Sequence, residues 1–131
     1  MKWSPAWSTG ITLIDEQHQM LFKMSEDYQS ALEAGTGQHV YAGLLTSLEL
    51  YVGTHFRYEE GCMARLVCPA AARNIEAHAH FSETLARFRR RHSETGFVRE
   101  DAITLMHNID DWLVKHICSI DVQMKKLVDP A

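Results

Sequence analysis

Cysteine and proline are both scarce in this chain, three of each in 131 residues. Cys62, Cys68 and Cys118 are an odd number and include no C-x-x-C pair, which argues against a disulfide framework and fits a reducing compartment. No run of 18 or more apolar residues occurs, nor a short apolar stretch behind a positive N-terminal region, so neither a membrane-spanning helix nor a signal peptide is expected. The expected compartment is therefore the cytoplasm. An excess of basic charge is also lacking: with a net charge of -4 and a pI near 6.0, nucleic acid and anionic membrane surfaces are disfavoured partners. The one basic run, Arg87 with Arg89, Arg90, Arg91 and His92, reads as the solvated end of a helix, where cations suit the helix dipole. Repeats, low-complexity tracts and long polar linkers are absent, and length with 46% apolar content predicts one domain over 1–131 with a single core.

What is present is helical periodicity. An N-terminal arm, 1–10, carries Trp3, Pro5 and Trp7. Ile11, Ile14, His18, Leu21, Ser25, Tyr28 and Leu32 then step by threes and fours, which predicts a helix over about 11–35 stopped by Gly35 and Gly37. Similar stripes predict helices over about 39–65, 70–93 and 100–128, with Cys68-Pro69 separating the second from the third and Gly96 closing the third. The expected fold is all-α: an antiparallel up-down four-helix bundle with an N-terminal arm. β-Structure has little support.

Polar residues interrupt these apolar stripes in one pattern. The first helix places His18 on its stripe, the second His55 with Glu59, the third His78, and the fourth His116 followed by Asp121. Residues four apart lie about 40° apart around a helix, so His55 and Glu59 project to the same side. A single inward histidine is ordinary. An inward histidine on all four helices, with carboxylates on two of them, is a buried cluster whose members cannot all find partners, and metal coordination satisfies it in one step. Imidazole with carboxylate and no thiolate suits a hard or borderline metal such as iron or manganese, and two carboxylates among six donors suggest two ions sharing bridges. One spacing fits badly. His116 and Asp121 are five apart, about 140° around an ideal helix, which requires either a π-bulge there or Asp121 reaching in from the side.

With these residues in place, the chain resembles the hemerythrin family in its bacterial single-domain form. The resemblance rests on Trp3 through Gly10, on Ile14-Asp15-Glu16-Gln17-His18 with Leu21-Phe22, on His55-Phe56-Arg57-Tyr58-Glu59-Glu60 with Met63, on His78 with Phe81, and on His116 to Asp121. It covers nearly the whole chain. It implies a non-haem centre of two iron ions in a four-helix bundle, bridged by Glu59, Asp121 and an oxo, hydroxo or water group, with His18 and His55 on one iron and His78 and His116 on the other. It implies O2 as the partner molecule, with NO or peroxide as further candidates. Members of the family occur as free proteins and as domains fused to signalling modules, so a fused or downstream signalling domain is a further expected partner. With no clear heptad seam, a monomer or weak homo-oligomer is expected.

The family pattern has one more histidine, four residues before the position of His78, and here that residue is Asn74. No other histidine takes its place: His80 and His107 fall on other faces, His92 lies about 20 Å further along its helix by the 1.5 Å rise, and His39 sits at a helix start. Three outcomes stay open for Asn74, namely binding iron through its amide oxygen, hydrogen bonding to a metal-bound water, or turning aside. Each leaves that iron more open or more weakly held. The expectation is a more symmetric centre with fast autoxidation, serving as an oxygen or redox sensor or an O2-binding domain; the alternative is a di-iron enzyme that reduces peroxide, NO or O2.

Overall fold

A computed structural model describes residues 2–128; Met1 and 129–131, the outer ends of the expected domain, lie outside the described residues. All regular structure among the described residues is helical, and none of these helices is long and apolar enough to cross a membrane.

The arm holds a short 3-10 turn, Pro5–Trp7, opened by Ser4, and Trp7 stacks on Phe22 with ring centroids 5.6 Å apart. Helix α1 spans Thr12–Glu33. Its first turn carries Asp15, which suits the positive end of the helix dipole and also accepts hydrogen bonds from the Thr9 amide at 2.7 Å and the Thr9 hydroxyl at 2.9 Å. One carboxylate thus fixes the arm to the helix start. Past the end of α1, Gly35 adopts φ +78°, a left-handed conformation that glycine takes without steric cost.

Gly37 does not belong to that stop. It begins α2, Gly37–Tyr51, two residues earlier than about 39. A Cβ there would come within 2.6 Å of a Leu32 methyl, and the Tyr28 hydroxyl donates to the Gly37 carbonyl at 3.1 Å. At this residue the two helix ends approach closely, and it starts α2 rather than stopping α1.

α2 runs through a π-helical turn, Val52–Phe56, directly into α3, Arg57–Arg65. After the Cys68-Pro69 interruption comes α4, Ala71–Thr95, which ends at Gly96 with φ +72°. α5 spans Arg99–Trp112 and continues as a second π-helical turn, Leu113–Ile117. The single fourth helix expected over about 100–128 is not found. Regular helix stops at Ile117, the chain turns over 118–120, and it resumes as a 3-10 helix, Asp121–Met124, followed by α6, Lys125–Val128. Leu127, near the end of that expected helix, is exposed. The reason is the five-residue gap: one continuous α-helix cannot aim both His116 and Asp121 inward, so the backbone leaves the α register on both sides of it.

α1 packs on α2 and α5, α2 also packs on α4 and α5, and α4 packs on α3 and α5. The buried apolar side chains form two clusters. The larger includes Leu21, Phe22, Leu45, Leu48, Phe81, Leu105 and Leu113; the smaller holds Ile14, Cys62, Met63, Cys68, Ala70 and Met124. Between members of the two clusters in sequence sit buried polar residues: His18 between Ile14 and Leu21, Glu59 between Phe56 and Cys62, Asn74 and His78 between Ala70 and Phe81, His116 and Asp121 between Leu113 and Met124. The molecule therefore has a polar layer set between two apolar ones.

Candidate metal centre

His18, His55, Glu59, His78, His116 and Asp121 meet in that layer, and none is more than 2% exposed. His18 comes from the middle of α1, Glu59 from α3 and His78 from α4. His55 and His116 each lie in a π-helical turn. The wider turn brings adjacent residues to the inner side together, so that His55 is buried beside Phe56 and His116 beside Ile117. Asp121 enters as the first residue of the 3-10 helix.

The two carboxylates divide their oxygens between two histidine pairs. Glu59 Oε2 lies 3.0 Å from His18 Nε2 and 3.1 Å from His55 Nε2, while Glu59 Oε1 lies 3.0 Å from His78 Nε2 and 3.5 Å from His116 Nε2. Asp121 does the same, with Oδ2 3.1 Å from His18 Nε2 and Oδ1 3.1 Å from His116 Nε2. His78 Nε2 and His116 Nε2 are themselves 3.1 Å apart. Two sets result, one built on His18, His55, Glu59 and Asp121 and the other on Glu59, His78 and His116, each with its donor atoms within 4.8 Å of one another.

Asn74 is fully buried in the same layer. Its amide end faces four of these atoms: with the NH2 turned inward it stands 3.0 Å from His78 Nε2, 2.9 Å from Glu59 Oε1, 2.9 Å from His116 Nε2 and 3.3 Å from Asp121 Oδ1. Of the three outcomes left open by the sequence, turning aside is the one this placement removes. His39, His80 and His107 are exposed and His92 is half-buried, so none of them joins the cluster.

Outer contacts orient the imidazoles. His55 Nδ1 lies 2.6 Å from Gln17 Oε1, and His78 Nδ1 lies 2.8 Å from a Glu60 carboxylate oxygen. An oxygen acceptor there makes Nδ1–H the donor and leaves the Nε2 lone pair for the centre. Among the described residues, His18 Nδ1 and His116 Nδ1 have no such partner. Aromatic faces hold three rings in plane: Phe56 on His78 at 3.8 Å, Trp112 on His116 at 3.9 Å and Tyr51 on His55 at 4.8 Å. Gln17, Glu60, Tyr51 and Trp112 were not singled out as site residues from the sequence. A signal for the last two was present, since an aromatic stands four residues before the histidine in each π-helical turn.

Electrostatically the layer is strongly coupled. Burial opposes a charge on His18, but Asp121 and Glu59 outweigh it and raise its pKa to about 9. His116 is raised in the same way, against burial, by Asp121 and Glu59. Burial prevails at His55 and lowers it. Burial opposes a charge on Glu59, but the surrounding imidazoles of His116, His18, His55 and His78 outweigh it and hold Glu59 well below its ordinary value.

The donor chemistry fits metal cations. In an octahedral shell with donors about 2.1 Å from an ion, neighbouring donors are about 3.0 Å apart, which matches the 3.0 to 3.1 Å that separates most facing pairs here. Buried lone pairs at that spacing repel one another unless protons or a cation lie between them. Neutral imidazoles with carboxylates are donors for borderline metals, and each carboxylate presents its two oxygens to different histidines. A family profile described as hemerythrin HHE cation binding domain matches residues 9–128. No curated protein matches the chain.

Proposed function

The chain belongs to the hemerythrin family of HHE cation-binding domains, and on that premise we propose that its polar layer holds two iron ions and that the domain binds or reacts with O2 as an oxygen or redox sensor. The observation that carries this reading is the division of each carboxylate between two histidine pairs, Glu59 between His18/His55 and His78/His116, and Asp121 between His18 and His116. That is the arrangement two bridged ions require, and a single ion would leave one pair unused. Two iron ions in such a shell supply one-electron redox changes and an exchangeable position for a small diatomic molecule.

The chain's own residues set the conditions. Gln17 and Glu60 hold His55 and His78 in the tautomer that offers Nε2. Leu21, Phe22, Phe56, Phe81 and Leu113, all buried, exclude water from one side of the layer. Where a third histidine would bind firmly, Asn74 offers only an amide, so one ion is held less strongly and fast autoxidation is expected. The bundle is read as antiparallel and up-down. Support comes from cross-helix pairs that run in opposite chain order: His18 with Asp121 and Ser25 with Asp110, and Glu49 with Arg89 and Glu60 with His78.

The test is to load the chain with iron, count the metal, reduce it without air and then admit O2 under an optical spectrophotometer. Two irons per chain and rapid passage to the oxidised form are expected. An oxygenated species that persists for hours would defeat the sensing reading, and fewer than two irons would defeat the centre itself.

A further inference from the structure

Asn74 faces His78 Nε2, His116 Nε2, Glu59 Oε1 and Asp121 Oδ1 at 2.9 to 3.3 Å, with no exposed surface. An amide NH2 has two hydrogens, so turned inward it can donate to at most two of these four atoms. Rotating the amide by half a turn puts its oxygen in nearly the same place. Then five oxygen and nitrogen atoms converge around one point, an arrangement that a cation at that point stabilises. The separations between these atoms are those of neighbouring corners in a shell of about 2.1 Å radius. A carbonyl oxygen is an ordinary donor to a hard or borderline divalent ion.

From this placement we propose that Asn74 is a metal ligand through its amide oxygen, and that the amide turns its nitrogen inward when the ion leaves. The proposal rests on the reading that the layer holds two cations. Its consequence concerns symmetry. The ion beside His78 and His116 has those two residues, Glu59 and Asn74 as protein donors, whereas the other has His18, His55, Glu59 and Asp121. With Asn74 counted, four protein donors stand on each side, and Asp121 Oδ1, 3.1 Å from His116 Nε2, lies beside the second set. Loss of the histidine weakens a ligand without removing the position it occupied.

Cobalt(II) alone, titrated without air into the metal-free full-length chain, separates the proposal from the reading beneath it. The wild type is expected to take up two ions. Asn74→Leu, similar in volume but without a donor atom, is expected to weaken one of the two by at least about tenfold, to leave the other unchanged, and to alter the visible absorption of the weakened ion alone. Asn74→Asp, which keeps an oxygen in place and adds charge, should bind that same ion at least about tenfold more tightly than wild type. If circular dichroism shows the leucine variant unfolded, the aspartate variant carries the test. Wild-type affinities in a folded leucine variant, or no tightening in the aspartate variant, overturn the amide ligand while the two-ion reading stands. A wild type that takes up fewer than two ions overturns the reading as well.

Discussion

Raising the pH of the metal-free chain should destabilise it, by an amount set at His18. This imidazole is fully buried, with its Nε2 3.0 Å from Glu59 and 3.1 Å from Asp121, and although burial opposes its charge the two carboxylates raise its pKa from 6.5 to about 9. A raised folded-state value means that the native chain holds the proton more tightly than the unfolded one. Below about pH 6.5 both states carry the proton and the full stabilisation is present; as pH rises through about 9 the native state gives it up and the stabilisation is lost. At about 1.4 kcal/mol per pH unit, that interval corresponds to about 3 kcal/mol. His116 is raised by the same carboxylates and adds a loss of the same sign. At the acid end the signs reverse: Glu59, lowered, stabilises the fold above its ordinary 4.5 and ceases to do so as pH falls through its native value. A bound cation takes the place of the protons on the histidines, so in the loaded chain metal affinity and stability should rise over the range where the metal-free chain weakens. Urea unfolding with and without a chelator, at about pH 6.5 and about pH 9.5, measures both slopes. Equal or greater stability of the metal-free chain at the higher pH would refute the reasoning, as would an undiminished slope in His18→Gln.

The outer contacts make a second prediction. Glu60→Leu, which removes the acceptor 2.8 Å from His78 Nδ1, or Gln17→Leu, which removes the one 2.6 Å from His55 Nδ1, should each lower metal affinity by about 10- to 100-fold. Chelator competition reads this, and each change should act on a different ion. A third concerns the backbone alone: Gly96 has φ +72° and ψ -160°, a region open essentially only to glycine, so Gly96→Ala should cost about 1 to 3 kcal/mol in chemical denaturation and leave metal uptake unchanged.

The four long helices were legible because each buries one face, and a period of 3.6 residues repeats that face in the sequence. The inward positions of His18, Glu59, His78 and His116 followed from the same period, since they occupy places where an apolar residue would otherwise stand. Gly37 was misread for a local reason. A glycine near a helix end usually marks a stop, and only the packing of Leu32 and Tyr28 against it reveals a demand for space. The fourth helix was misread because periodicity assumes constant pitch. The spacing of His116 and Asp121 announced a break but did not say that it would take the form of a π-helical turn, a reversal at 118–120 and a 3-10 helix.

By itself, then, the sequence determined the helical class and the set of polar residues that interrupt the apolar stripes, because burial of a helix face is written locally, in residue type and spacing. Which carboxylate oxygen meets which imidazole, which histidines gain Gln17 and Glu60, and where the amide of Asn74 points are facts about residues far apart in the chain. They depend on helix phase and axial offset to within an ångström. Only the packed bundle decides these, because coordination is directional and short-ranged while the periodicity that builds the helices is neither.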